Sequence, residues 1–373
     1  MEMNHKPPLI WVNVALFSAT LIVSLLLVPW YGIQYGYSWP LWFLFAFSYC
    51  LCGLSITAGY HRLWSHRSYN AHVAIRVIYA LGGAFALQNS ILHWCSDHRV
   101  HHKHVDDSVR DPYAASRGLW FSHIGWMLRE YEPERYNDYT NCRDIAKDPI
   151  VQWQHKYYLL LVLLTNIGLP FVIGFLVGDI WGSLLLIGVA RLFLSHHTTF
   201  FINSLAHYWG SQPYTDRNSA RDNPILALLT FGEGYHNFHH LFENDYRNGF
   251  RWWQFDPTKW LINTLHRLTL ASDLRRTPAD RIEKMRVKQT MVKVRVRLEQ
   301  QDKATRLLIQ LQQEYEQLLL QISVHYVARK SLIAAKKNQL KSQYCQLEQQ
   351  YVAIKKQLAV QRRRWKRFTT KYA

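Results

Sequence analysis

Four short histidine clusters hold the chemistry this sequence can offer. They are His61-x4-His66 (HRLWSH), His98-x2-His101-His102 (HRVHH), Asn203-x3-His207 (NSLAH) and His236-x2-His239-His240 (HNFHH). Neutral imidazole is the commonest protein ligand for iron, copper and zinc. On a helix, residues at i, i+3 and i+4 share a face, so each HxxHH is expected to aim three nitrogens at one point. Nine ligands exceed what one ion holds, and the count predicts two metals. A single histidine would be read as a surface residue or a satisfied core residue. Four clusters bordering apolar runs predict a metal enzyme in a membrane.

Hydrolysis at paired metals commonly uses bridging carboxylates and an open water position, and no carboxylate falls inside the ligand spacing here. A polyhistidine set points instead to a redox metal, iron, working with dioxygen. An unactivated methylene has no acidic proton and no leaving group, so side-chain acids and bases cannot attack it. The hard step belongs to the cofactor. The protein is left to hold an alkyl chain at the metals, exclude water and deliver electrons.

Elements must bring these clusters together. Four apolar stretches, about Leu9–Pro29, Trp39–Ala58, Tyr157–Val177 and Ile180–Phe201, approach the roughly 20 residues that cross a bilayer. The 15 Trp and 22 Tyr suit a membrane interface. Both hairpin tips are short and nearly free of charge, while Lys and Arg gather at the N-terminus, in 60–156 and after 205. The positive-inside tendency then places both termini and all four clusters on the cytoplasmic side. A further apolar run, Val73–Leu92, contains Arg76, Gln88 and Asn89 and joins two clusters. A fifth crossing would separate them, so it reads as an interfacial or protein-buried helix. Arg191, inside the fourth run, calls for an interior partner or for snorkelling to the interface.

Residues 1–271 hold 20 Lys+Arg against 18 Asp+Glu, whereas 272–373 hold 24 against 8. The basic character belongs to the tail, and two domains are expected, 1–271 and 272–373. Past Pro278 there is no Gly or Pro. Leu308, Leu311, Tyr315, Leu318 and Ile322 step by 3 and 4, as do Leu340, Tyr344, Leu347, Tyr351, Ile354 and Leu358, which is a coiled-coil seam. Between them, His325 to Lys337 is polar and basic. A helical hairpin or one long self-associating helix is expected, with the closing QRRRWKRF suited to anionic lipid. Nucleic acid is not an expected partner of a membrane protein. Five cysteines without a CxxC pair fit a reducing compartment.

The boxes HRLWSH, DHRVHH and GEGYHNFHH, with NSLAH, resemble those of the membrane fatty acid desaturases, specifically the acyl-CoA Δ9 (stearoyl-CoA) type. Further matches are Gln88-Asn89, Trp94, Asp97, the run from Asp111 to Trp126, DPIVQWQHKYY from Asp148 and DYRNGFRWWQFDPTKW from Asp245. The similarity covers about residues 9–271. It implies an all-α integral membrane fold: four transmembrane helices and a cytosolic helical cap holding a di-iron polyhistidine site, here with the coiled-coil tail added. The implied ligands are His61, His66, His98, His101, His102, His207, His236, His239 and His240, with Asn203 acting through a water. Asp97, Glu233 and Asp107 are candidates to orient ligand rings, and His104, His123, His196 and His197 stand near enough to assist.

The resemblance further implies oxygen-dependent Δ9 desaturation of a saturated acyl thioester in a narrow bent tunnel. Gln88, Asn89, Trp94, Asp97, Thr199 and Phe200 are the expected substrate contacts, with Phe200 standing where animal enzymes have Trp. Positions matching the family's basic contacts to CoA phosphates are Ser96, Glu130 and Tyr131, and Arg129 is displaced by one. Acyl-CoA is therefore expected, with acyl-carrier protein or a lipid-bound chain open. No His-Pro-Gly-Gly haem motif occurs, so a separate ferredoxin, flavoprotein reductase or cytochrome b5 is the expected electron donor. A bacterial inner membrane is favoured, the endoplasmic reticulum being the alternative. An alkyl hydroxylase begins with the same C–H abstraction, and a non-catalytic scaffold built on the tail is the reading outside enzymology.

Overall fold

The computed structural model describes residues 6–300, 304–338 and 341–372. The chain forms two units, Met1–Ser211 with Asn218–Arg276, and Gln212–Arg217 with Thr277–Ala373. The expected join after residue 271 falls inside the first unit, because Ala271–Ser272 pairs as an antiparallel strand (β2) with Asn70–Ala71 (β1). Residues 212–217, placed by the sequence in the first domain, belong to the second unit.

In the first unit, four helices are long and apolar enough to cross a membrane: α1 (Trp11–Gln34), α2 (Trp39–Ser65), α5 (Tyr158–Val177) and α6 (Ile180–Tyr208). They form two hairpins. At their tips the Tyr31 hydroxyl donates to Asp179 Oδ1 at 2.7 Å, so both tips lie at one end of the bundle. The other ends of α2 and α6 carry His61, Asn203 and His207, with His66 just beyond α2, and they meet at the opposite end. Outward-facing apolar side chains such as Trp39 and Leu159 are left exposed, as a surface solvated by lipid requires.

Val73–Leu92 is not one helix. It is α3 (Val73–Ala86), which bends by 81° into α4 (Ile91–His104). Leu87 takes the left-handed conformation, φ 50°, and ends α3. Ser90 starts α4 by accepting from the His93 amide at 3.4 Å. The C-terminal half of α3 is buried, and its approach to α2 needs glycine: a Cβ on Gly83 would meet the Tyr60 ring at 2.2 Å.

The last turns of α2, Ser55–Ser65, widen to the π form. Its i→i+5 bonding stacks residue i+5 over residue i, and the His66 amide donates to the His61 carbonyl at 3.0 Å. The five-residue spacing of HRLWSH therefore places both rings on one side, which an α-helix would not do.

Among its described residues, the second unit contains three helices, α8 (Ala279–Glu299), α9 (Ala304–Lys337) and α10 (Lys341–Lys371). α9 and α10 run antiparallel: Gln361 donates to Glu314 at 2.8 Å, and His325 stacks on Tyr351. Leu311, Leu318, Ile322 and Leu358 are buried with Val287, Met291, Val294 and Leu298 of α8. The polar, basic stretch 325–337 lies within α9, where His325 is buried, and the antiparallel pair matches the expected helical hairpin rather than one long helix. Leu340 of the second seam lies outside the described residues. Trp365 of the basic cluster is also buried, against Tyr315, so this ring faces the bundle rather than lipid. Gly83→Ala is expected to destabilise the first unit by about 1–3 kcal/mol through overpacking, seen as a lower thermal midpoint in detergent. An unchanged midpoint would show that α2 and α3 have room to spare.

Candidate metal centre

The histidine rings meet as two groups. His61, His66, His98, His102 and His239 bring one nitrogen each within 4.8 Å of one another, and so do His101, His207, His236 and His240. The expectation that each HxxHH serves one point is corrected. α4 gives His98 and His102 (i, i+4) to the five-membered group and His101 to the other. α7 (His236–Leu241) does the reverse, giving His236 and His240 to the four-membered group and His239 to the first. Each HxxHH box thus contributes to both groups, so the two helices that carry them fix the distance between the groups.

Nε2 atoms face each other closely: His61 to His239 at 3.0 Å, His66 to His98 at 2.9 Å, His239 to His102 at 3.0 Å. In the second group, His207 to His236 is 3.1 Å, His236 to His240 3.0 Å and His101 to His240 3.4 Å. Two imidazole nitrogens bound to one ion at about 2.1 Å and at right angles stand about 3.0 Å apart. The donor set and its spacing thus fit one transition-metal ion per group.

Ring orientation comes from behind. His61 Nδ1 lies 3.0 Å from Glu233 Oε2, His101 Nδ1 2.9 Å from Asp111 Oδ1, and His102 Nδ1 3.3 Å from Glu243 Oε2. His207 Nδ1 meets Ser219 Oγ at 2.7 Å, and that hydroxyl donates to Asp106 Oδ1 at 2.5 Å. A carboxylate at Nδ1 holds the proton there and leaves the Nε2 lone pair for a metal. Of the acceptors expected from sequence, Glu233 takes this place. Asp107 does not: it is turned to the amides of Val109 and Arg110, and its neighbours Asp106 and Asp111 face the rings instead. Asp97 sits 3.4 Å from His93, not from a ligand. His123 bonds to His197 and Ser204, and His196 to backbone carbonyls, so these three rings are engaged with partners other than the ligand histidines. Asp111, Asp106, Ser219 and Glu243 were missed because only the fold brings them behind the rings.

Burial first, and then the neighbouring rings, push His66, His236, His239 and His240 well below the ordinary imidazole value. They are neutral at pH 7, the form that binds metal. Burial alone would raise the Glu233 carboxyl, but His61 and Arg62 outweigh it and hold it at about 2. Arg62 donates to Glu233 Oε1 at 2.8 Å and to Asp256 Oδ2 at 3.1 Å, fixing the carboxylate that fixes His61.

A cavity of about 360 Å³ reaches both groups, touching His61 and His98 of the first and His236 of the second. That volume is in the range of small-molecule sites. Gln88, Asn89, Trp94, Asp97, Thr199, Phe200 and Asn203 all line it. Trp94 stacks on His98 with centroids 4.8 Å apart, and Gln88 Nε2 donates to Thr199 Oγ1 at 2.9 Å. Residues of α1, Leu16 and Phe17 among them, close one side. Asp111→Asn is expected to weaken metal binding ten- to a hundred-fold, by loosening His101, and to spare the first group. Titration of the bound metal with a chelator should then show one ion lost early and one retained; simultaneous loss of both would contradict the separation of the groups.

The description fatty acid desaturase belongs to a family model that matches residues 37–265. The chain is 44% identical over 296 residues to "Acyl-CoA desaturase 1" of Saccharomyces cerevisiae, covering 78% of this chain and 56% of the yeast protein. It is 45% identical over 242 residues to a "Probable acyl-CoA desaturase" of Schizosaccharomyces pombe, covering 65% and 50%. Against "Stearoyl-CoA desaturase 5" of Bos taurus it is 38% identical over 291 residues, covering 75% and 84%. The chain spans about half the length of the two yeast relatives. Four membrane-length helices, two histidine groups and these matches agree: the chain belongs to the fatty acid desaturase family.

Proposed function

We propose that this protein is an oxygen-dependent Δ9 desaturase of saturated fatty acyl thioesters, acyl-CoA first among them, serving unsaturated fatty acid synthesis. The observation that carries the reading is an apolar cavity that reaches members of both histidine groups. One iron would be held by His61, His66, His98, His102 and His239. The other would be held by His101, His207, His236 and His240, with Asn203 through a water. When bound, the irons supply the activation of dioxygen needed to take hydrogen from an unactivated methylene. The chain's own residues do the rest. Trp94 and Phe200 confine the alkyl chain, Gln88 and Thr199 shape the wall beside it, and burial keeps water out.

Asn89 and Asp97 stand at the same cavity as headgroup contacts. Arg129 donates to the Pro7 carbonyl at 2.6 Å, and Ser96 donates to Asn141 Oδ1 at 2.9 Å, so neither is a free phosphate clamp. That observation supports acyl-carrier protein or a lipid-bound chain as the second reading. A polar cleft lined by Arg67, Arg99, Lys103 and Arg275 reaches His66 and His102. It supports delivery of electrons by a separate ferredoxin, flavoprotein reductase or cytochrome b5 without passage through the acyl cavity.

The Lys and Arg distribution supports a cytoplasmic metal end and cytoplasmic termini, in a bacterial inner membrane or the endoplasmic reticulum alike, with the helical cap on that side. The second unit, read as a coiled-coil tail, would serve self-association or membrane docking. Deletion of residues 277–373 should then lower oligomeric state or membrane activity, and full retention of both would dispose of that role. Expression in a host unable to make unsaturated fatty acids is expected to restore growth and yield a Δ9 alkene by mass spectrometry. An alcohol product would instead indicate a hydroxylase, and no lipid change with no bound iron a scaffold. Rescue that persists in the His101→Ala, His236→Ala double variant would overturn the site assignment.

A further inference from the structure

Helix α3 stops inside the membrane unit; the Ala84 carbonyl accepts from the Leu87 amide at 3.1 Å, but the helix's last carbonyls run out of i+4 amides and have no bulk water to turn to. Three side chains from the neighbouring spans meet them. Asn166 Nδ2 donates to the Ala84 carbonyl at 3.2 Å, and Arg191 Nη1 donates to Phe85 at 2.6 Å. His196 Nε2 lies 3.0 Å from the Ala86 carbonyl and 3.1 Å from Leu87. The three are joined, since Arg191 Nη2 also donates to Asn166 Oδ1 at 2.8 Å.

Arg191 is wholly buried. Among the described residues its partners are carbonyls, the Asn166 amide and the Cys52 sulfur, with the Phe85 ring 3.8 Å from its guanidinium carbon. No carboxylate balances it. Burying such a cation is costly, and its compensation here is the negative end of α3. It neither snorkels nor forms an ion pair.

What these side chains hold is the turn Leu87–Gln88–Asn89, all three residues of which line the acyl cavity. Leu87 and Asn89 have φ of 50° and 76°, so the turn is a strained conformation kept by its surroundings. α6 grips it twice, one turn apart, through His196 on the carbonyls and Thr199 on Gln88. Tyr158 accepts from the Asn89 amide at 2.8 Å. We propose that Asn166, Arg191 and His196 are positioning residues that clamp the broken end of α3, and that they thereby set which methylene of the chain lies at the metals. This rests on the desaturase reading for its positional consequence, although the clamp itself does not.

The test compares Arg191→Met and His196→Leu with Arg191→Lys and His196→Gln, which keep a donor. Hydrogen–deuterium exchange is followed on peptides covering 84–94 in detergent-purified, iron-loaded protein, and double-bond position is mapped in the product from stearoyl-CoA. The first pair should speed exchange in 84–94 while iron content stays at the wild-type level. A displacement near 1 Å at a reacting centre costs on the order of 100-fold, so kcat should fall by about that factor with KM changed less. A second positional isomer should appear, and His196→Gln should restore the single one. Exchange unchanged in both variants, or faster exchange with a single unaltered isomer, would overturn the proposal. Should Arg191→Met fail to accumulate, His196→Leu carries the test, because it leaves the guanidinium contacts in place. If the wild type forms no alkene, the functional reading falls, and the exchange measurement alone decides the clamp.

Discussion

Imidazole nitrogens that face one another at about 3 Å, each with its lone pair directed inward, repel unless cations stand between them. This requirement governs the first unit. It demands that the ends of α2, α4, α6 and α7 arrive at one place, and that each ring be held so that Nε2 and not Nδ1 points inward. The carboxylates of Glu233, Asp111 and Glu243 meet that second condition directly, and Asp106 meets it through Ser219. Their charge also counts. Two divalent ions bound only by neutral rings would leave a site far from neutral, and carboxylates just behind the rings offset that charge without occupying metal positions.

The split of each HxxHH between two groups follows from the same helical geometry that suggested a shared point. At about 100° per residue, i+4 is turned from i by about 40° and i+3 by about 60° in the opposite sense. A single ion near α4 is therefore best served by His98 and His102, leaving His101 to aim beside it. α7 is arranged in the opposite sense. The result is two sites sharing two helices, each with its own set of rings and its own carboxylates behind them.

The membrane helices were legible in the sequence because their signal is composition over some 20 residues, which no tertiary contact alters. The nine rings were legible because residue type and spacing survive without coordinates. Other features depended on contacts distant in the chain. The bend at Leu87 is not fixed by hydropathy: Gln88, Asn89 and Ser90 interrupt an otherwise apolar run but do not say how the chain turns, and the break is met by Asn166, Arg191 and His196. Asp111 was indistinguishable from Asp107, four residues earlier, until the loop showed which one faced His101. In the tail, the stretch from His325 to Lys337 reads as polar and separates the two seams, but Tyr351 gives the His325 ring a stacking partner and α9 continues through it. The heptad seams carried no information about α8, whose basic sequence hides Val287, Met291, Val294 and Leu298 on one face.

A helix broken at membrane depth would ordinarily be a liability, since freed carbonyls in a dry interior cost several kcal/mol each. Here the break does what a continuous helix cannot. It turns α4 by 81°, which brings His98, His101 and His102 across to the rings of α2 and α7. It also exposes the Leu87–Asn89 turn to the cavity that reaches both histidine groups. The cation at Arg191 is the counterpart of that choice: a buried charge without a carboxylate is tolerated because a helix end without partners is opposite it. Ring cage and cavity wall are thus built from one bend, and of the groups that stabilise it Asn166 and Arg191 act from behind while His196 lines the cavity itself.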